Sequence, residues 1–288
     1  MIPTKEVSVS KDDIARYYDT QQVFYTLFWS RTALHYGFWY QDTKSLGQAI
    51  LNTNNFVIDT LAINSGDTVL DAGCGVGGTS IHIAETTGAR VHGITLSDVQ
   101  LKIARRRAGK SFAAHLLNFS KGDFTSTLFT EKTFSRVFGI ESICYAQTKT
   151  DFLNEAYRIM KPGGMIAVVD LFLAKQELNV EEMKIYQKTI EGWAIPNLAT
   201  VADFWRYLQQ AGFNNIAFHN MLPEIRKSSR RMYFQKLLWR PFDFILSRLG
   251  NGRENASAKY QKPFFDKGIG LYGAFIAAKS EFLEPASH

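Results

Sequence analysis

Residues 69 to 78 read Val-Leu-Asp-Ala-Gly-Cys-Gly-Val-Gly-Gly. An apolar run closes on Asp71 and enters a loop where Gly73, Gly75 and Gly77 stand at positions that must turn tightly and let a ligand reach the backbone, a task suited to residues without a Cβ. Such a strand, loop and helix start would cradle an adenosine-type cofactor. A dinucleotide is one candidate, because Gly73, Gly75 and Gly78 nominally satisfy G-x-G-x-x-G. The next strand, Ala89 to Thr95, ends without the ribose-binding carboxylate of a dinucleotide site. Further on come Lys121-Gly122-Asp123-Phe124, the apolar run Arg136 to Ile140 ending at Glu141, and Lys161-Pro162-Gly163-Gly164. A carboxylate at a strand end, such as Glu141, can take up a proton or face a developing cation. His35, His82, His92, His115, His219 and His288 are scattered, with no ligand-like spacing to Asp or Glu, so no metal is expected.

The elements that position these residues alternate along the chain. A helix spans about Leu46 to Leu61, followed by a strand at 68–72, a helix at 77–87, a strand at 90–95, a helix at 98–108, and strands near 116–121 and 136–140. A helix at 150–160, a strand at 165–171, a helix at 201–211 and strands at 214–220 and 270–279 complete the pattern. Alternation of this kind implies an α/β fold, a Rossmann-like sheet of seven mostly parallel strands covered on both faces. One domain is expected over 1–288, with 46–173 as the cofactor-binding core and 199–221 with 267–280 completing the sheet. The N-terminal segment 1–45 and the insertions 174–198 and 222–266 are additional, and the three are expected to form a helical lid over the carboxyl ends of the strands.

The order of these motifs resembles the class I S-adenosylmethionine-dependent methyltransferases over roughly residues 45 to 220. That resemblance implies S-adenosylmethionine as cofactor and S-adenosylhomocysteine as product, with Gly73, Gly75 and Gly77 against the methionine part and Asp71 ordering the loop or meeting the cofactor through water. Gly93-Ile94-Thr95-Leu96-Ser97 followed by Gln100 is similar to the tocopherol, sterol and cyclopropane-fatty-acid synthase branches, which assigns Thr95, Leu96 and Gln100 to the cofactor without an acidic ribose partner. Asp123 would accept from the adenine amine and Phe124 would offer its amide and an apolar edge. Tyr17-Tyr18-Asp19 and Leu34-His35-Tyr36-Gly37 resemble segments upstream of the core in small-molecule and prenyl-lipid methyltransferases, placing Tyr18 on the cofactor carboxylate and Gly37 at its tail.

Ile140-Glu141-Ser142-Ile143-Cys144-Tyr145-Ala146 resembles the Glu-x-x-x-His-x stretch of sterol C-methyltransferases, with Tyr145 in place of the His. The resemblance makes Glu141 the catalytic carboxylate, assisted by Tyr145 and His35. Methyl transfer is an in-line displacement in which the protein mainly aligns the partners, and the treatment of the acceptor's proton separates alkene carbons from amines and hydroxyls.

The acceptor is expected to be a hydrophobic small molecule. Trp193, Trp205, Phe234, Trp239, Phe242 and Phe244 offer apolar walls, while Arg226-Lys227-Ser228-Ser229-Arg230-Arg231 offers charge for an anionic head group or an acidic membrane surface. Trp193, Phe234, Arg230 and Arg231 are the candidate substrate contacts. C-methylation of an isoprenoid or related natural product leads; N- or O-methylation of a small amine or aromatic metabolite, and a membrane-surface binding protein that keeps only the fold, are the alternatives. The 288 residues carry a formal charge of +6, too dilute for a dedicated nucleic-acid binder, so no nucleic-acid partner is expected. Two cysteines, no apolar leader within Met1 to Asp13 and no long apolar stretch fit a cytoplasmic protein. The oligomeric state is not legible.

Overall fold

The computed structural model describes residues 9–24, 27, 29–30, 32–248 and 257–281, the side chains of 21, 23–24, 236–237, 239–248 and 257–259 excepted. Its helices are α1 (Lys11–Phe24), α2 (Leu46–Thr60), α3 (Gly78–Thr87), α4 (Asp98–Ala108), α5 (Lys149–Ile159), α6 (Val180–Trp193), α7 (Val201–Gln210), α8 (Leu222–Arg248) and α9 (Ser257–Asp266). The strands are β1 (Thr68–Ala72), β2 (Arg90–Thr95), β3 (Leu117–Lys121), β4 (Phe134–Ile140), β5 (Met160–Leu173), β6 (Phe213–Asn220) and β7 (Gly270–Lys279).

The strands form one seven-stranded sheet in the order β3-β2-β1-β4-β5-β7-β6. Pairing is parallel from β3 through β5, whereas β7 runs antiparallel to both β5 and β6. Side chains alternate across the sheet. Val69, Val91, Phe138 and Val169 join one core with α2, α3 and α6, while Leu70, Ile94, Val137 and Val168 join another with α5 and α7. Each such fully buried side chain contributes about 1.5–3 kcal/mol, so both faces hold their helices firmly.

Lys161-Pro162-Gly163-Gly164 falls between the helix expected at 150–160 and the strand expected at 165–171. It lies inside β5, where the β4–β5 register shifts between Phe134 and Arg136 and Gly163 takes a φ of 72°. The extra residues form an outlying bulge that leaves Met165 onward in register with β4.

The order of strands reverses at β1, which lies between β2 and β4. Ligands of open α/β sheets bind outside the carboxyl ends of the strands at such a point, and here the ends of β1, β2 and β4 deliver Asp71, Thr95 and Glu141.

Candidate active site

A cavity of about 770 Å³ opens at that reversal, within the roughly 300–1,000 Å³ typical of small-molecule sites. Of the residues assigned from sequence, Tyr18, His35, Asp71, Gly73, Gly75, Thr95, Leu96, Gln100, Asp123, Phe124, Glu141, Tyr145 and Trp193 all line it. The sheet ends form its floor. Ile14, Tyr17 and Tyr18 from α1, Trp193 and Ile195 from α6 and the segment beyond it, and Met232 from α8 form the walls.

The glycine loop divides its labour. Gly75 has a φ of 51°, and a Cβ there would meet nothing closer than Leu34 Cδ1 at 3.8 Å, so the backbone faces open cavity that a ligand can fill. Gly77 is different. At a φ of 77°, its Cβ would stand 2.8 Å from Phe119 Cζ and 3.0 Å from Ala104 Cβ, and it does not line the cavity. The cofactor contact assigned to Gly77 is therefore corrected to packing of the α3 start on β3 and α4. Gly37 is corrected likewise, because its Cβ would lie 2.6 Å from Ala49 Cβ on α2 rather than in the cavity. The Gly73 and Cys74 amides both donate to the Ile94 carbonyl, at 3.0 and 2.9 Å, which fixes the loop to the end of β2.

Asp71 is buried, and its Oδ2 accepts a 2.6 Å hydrogen bond from Ser80 Oγ on α3. Burial pushes its carboxyl up to about 7, against that hydrogen bond. Thr95 Oγ1 donates to Gln100 Oε1 at 2.9 Å, which leaves the amide nitrogen Nε2 of this cavity-lining residue as its remaining polar atom. That Nε2 is buried with no hydrogen-bond partner. A buried donor without an acceptor costs about 1–3 kcal/mol, a penalty a bound ligand oxygen would relieve. The open space at Gly75 and the unpartnered Gln100 donor are the features that a nucleoside cofactor such as S-adenosylmethionine fits. Asp123 accepts from Lys11 Nζ of α1 and, through Oδ1, from the Thr125 amide at 2.9 Å. Burial raises its pKa, but the Lys11 and Thr125 hydrogen bonds outweigh this and hold the carboxyl below its usual value. Ser97 Oγ donates to Asp19 Oδ1 at 2.5 Å, a second tie between α1 and the cofactor side. Phe124 packs edge-on to Phe152 at 5.5 Å.

Glu141 occupies the left-handed region at a φ of 50°, strain that glycine would avoid and that an acidic residue keeps only where the surroundings impose it. Its Oε1 accepts from the Tyr36 amide at 2.7 Å and the Tyr272 hydroxyl at 2.8 Å. Burial pushes the carboxyl up to about 8 despite these donors, and Asp170 nearby adds to the rise. Tyr145 donates to the Trp193 carbonyl at 3.1 Å and meets Tyr18 edge-on at 5.5 Å, so the two tyrosines and Trp193 form one aromatic wall. His35 donates from Nδ1 to the Tyr36 carbonyl at 2.8 Å, and burial lowers its pKa. Its Nδ1 hydrogen bond ties the ring to the Tyr36 segment while the residue lines the cavity.

Three substrate assignments do not reach the site. Phe234 is 55% exposed, Arg230 and Arg231 are exposed, and none of the three lines the cavity. They lie on the outer side of α8, so the contacts predicted for them are corrected. Trp205 packs on Phe275 at 6.2 Å, and the side chains of Trp239, Phe242 and Phe244 lie outside the described residues.

Sequence reasoning missed Lys149, Asp170, Tyr36 and Tyr272. Lys149 is buried and donates to the carbonyls of Cys144 (2.8 Å), Ala146 (2.6 Å) and Asn197 (3.0 Å), which clamps the segment after β4 to the wall beyond α6. Burial lowers its pKa to about 8. Asp170 is fully buried and accepts from the Cys144 and Leu171 amides, both at 2.8 Å. A lysine in the first turn of a helix opposes the macrodipole, and an aspartate inside an apolar strand has no solvent to face; both were signals.

A family model described as mycolic acid cyclopropane synthetase matches residues 5–235. The sterol 24-C-methyltransferase of Pneumocystis carinii is 33% identical over 202 residues, covering 69% of this chain and 53% of that protein. The one from Saccharomyces cerevisiae is 33% identical over 199 residues, covering 68% and 51%. The chain thus spans about half the length of the curated relatives it matches. Among solved structures, the cyclase SpnF superposes with a TM-score of 0.80 at 20% identity, covering 95% of this chain and 97% of its own. The geranyl diphosphate C-methyltransferase from Streptomyces coelicolor A3(2), in complex with Mg2+, geranyl diphosphate and S-adenosyl-L-homocysteine, gives 0.72 at 19% identity, covering 93% and 97%. These two likenesses show the fold.

Proposed function

This chain belongs to the mycolic acid cyclopropane synthetase family, and from that premise we propose that it transfers a methyl group from S-adenosylmethionine to a carbon of a hydrophobic, isoprenoid-like small molecule. One observation carries the reading: a single cavity joins the open glycine loop and the unpartnered Gln100 donor to Glu141 and a wall that includes Tyr18, Tyr145 and Trp193. The sterol 24-C-methyltransferase relatives and the geranyl diphosphate C-methyltransferase likeness support carbon as the atom methylated.

S-adenosylmethionine supplies a methyl group that is already electrophilic, so the chain's own residues have to align, desolvate and handle a proton. The backbone at Gly75 and the Gln100 amide would hold the cofactor, with Asp123 and Phe124 available to its adenine. Tyr18, Tyr145 and Trp193 line the cavity, and an aromatic ring favours positive charge over its face. An alkene that gains a methyl becomes a carbocation, and Glu141 is the acid group on the cavity wall after β4 placed to face it. With a pKa near 8 the carboxyl keeps its proton at neutral pH while the cavity holds no cation. Positive charge brought beside it favours the anion, which then stabilises the cation and removes a proton from it.

The basic run of α8 points away from the cavity, which leaves Lys11 as the cation on its lining among the described residues, already paired with Asp123. An acceptor without a diphosphate fits these walls best. A mass-shift screen with methyl-deuterated S-adenosylmethionine against neutral terpenes, sterols, geranyl diphosphate and small amines tests the reading. Label on a neutral isoprenoid carbon supports it, and label only on amine nitrogen refutes it.

A further inference from the structure

Helix α8 presents two unlike faces. Ile225, Ser228 and Met232 are buried, and Met232 reaches the cavity wall. Ser228 anchors this inner side: its Oγ donates to the Gly37 carbonyl at 2.8 Å and accepts from the Trp39 indole at 2.9 Å. At 3.6 residues per turn, Arg226, Arg230, Phe234, Lys227, Leu238 and Arg231 share about 140° of arc on the opposite side. Phe234 is 55% and Leu238 79% exposed, one turn apart, and the four cations beside them are exposed too. Lys227 lies over the Trp39 ring at 5.3 Å, and no carboxylate pairs with any of the four among the described residues.

Two large apolar side chains left in water beside a basic cluster are an unfavourable surface unless something covers them. We propose that this face of α8 docks the protein on an anionic lipid bilayer, with Phe234 and Leu238 entering the boundary between headgroups and acyl chains and the arginines pairing with lipid phosphates. Charge selects the occupant. The cations flank the apolar pair, so their long stems can lie along the helix while their heads reach the phosphate layer. No helix among the described residues is long and apolar enough to cross a membrane, so α8 would lie in the plane of the surface. Because Met232 is on the inner side of the same helix, the cavity stands directly behind the docking face. A lipophilic acceptor then leaves the bilayer next to the site that binds it. Docking itself needs neither cofactor nor transfer, so it stands or falls apart from the proposed reaction.

The test is co-sedimentation of the full chain with vesicles of phosphatidylcholine alone and of phosphatidylcholine mixed with phosphatidylglycerol, without cofactor. The wild-type chain is expected to favour the anionic vesicles and to be released by salt. A Phe234→Ser and Leu238→Ser double variant should partition at least tenfold more weakly, and Arg226→Gln, Arg230→Gln and Arg231→Gln should each reduce anionic binding about fivefold. Unchanged melting temperature and S-adenosylmethionine affinity by calorimetry would show that the variants fold and keep their cavity. Wild-type protein that ignores anionic vesicles overturns the proposal. So does vesicle binding that all these variants retain, and so does a dimer in sedimentation velocity that the double variant dissolves while vesicles bind neither form.

Discussion

Replacing Glu141 with Gln exchanges a carboxyl that can ionise for an amide that cannot, with almost no change of shape. The amide oxygen can still accept from the Tyr36 amide and the Tyr272 hydroxyl, which both use Oε1 in the wild-type protein. Two magnitudes follow. The first concerns stability: the carboxyl moves from 4.5 in the unfolded chain to about 8 in the folded one. At about 1.36 kcal/mol per pKa unit, and halved because the residue borders a water-filled cavity, the folded state loses roughly 2–3 kcal/mol when the group must ionise. A raised folded-state pKa gives stability that is complete below the unfolded value and is lost as pH rises toward 8. Glu141→Gln should therefore match the wild type near pH 4 and be the more stable of the two at pH 9, as read by denaturant unfolding across that range. The second concerns rate: single-turnover transfer to the alkene acceptor should fall by about two to four orders of magnitude, the range for a lost base or cation stabiliser. Cofactor affinity should barely move. A variant with near-normal single-turnover rate, or one whose stability difference ignores pH, would refute the role given to this carboxyl.

Gly75→Val should fail to bind S-adenosylmethionine in calorimetry because the side chain fills the open space, and the φ of 51° there should also cost some melting temperature; Gly77→Val should lower the melting temperature further, because it crowds Phe119 and Ala104 as well. Gln100→Ala should weaken cofactor affinity by about 0.5–1.5 kcal/mol and Thr95→Val by less, since Thr95 acts by orienting Gln100; unchanged dissociation constants in both would remove these residues from the cofactor site. Lys149→Met should cost roughly 2–4 kcal/mol in denaturant unfolding, because three buried carbonyls lose their donor, and should depress single-turnover rate by loosening the Glu141–Ala146 segment.

The sheet was legible because its central strands are apolar runs bounded by turn residues and alternate with helices, and the bulge at Pro162 to Gly164 hid the extent of β5. The cavity lining beside the glycine loop was legible too. Loop glycines and residues at strand ends keep their neighbours in sequence as neighbours in space, so Gly75, Thr95, Gln100 and Asp123 could be placed one motif at a time. Gly77 shows the limit of that reading: a glycine demanded by packing on Phe119 has the same letter as one demanded by a ligand. The acceptor side was harder because its partners come from distant segments. Tyr36 and Tyr272 converge on Glu141 from opposite ends of the chain, and nothing local marks either. An aromatic and basic stretch such as Arg226 to Phe234 states that a helix has an unusual face, yet only the fold decides whether that face turns to the cavity or away from it.

The measurement that bears most directly on the central claim is a single turnover with methyl-deuterated S-adenosylmethionine and a panel of neutral isoprenoids, run in parallel with wild-type and Glu141→Gln protein and read by mass spectrometry and carbon NMR. The account predicts a deuterated methyl group attached to a skeletal carbon of an isoprenoid in the wild-type reaction, and a rate at least about a hundredfold lower in the variant. A deuterated methyl group attached only to nitrogen or oxygen, or equal carbon methylation by both proteins, would contradict it.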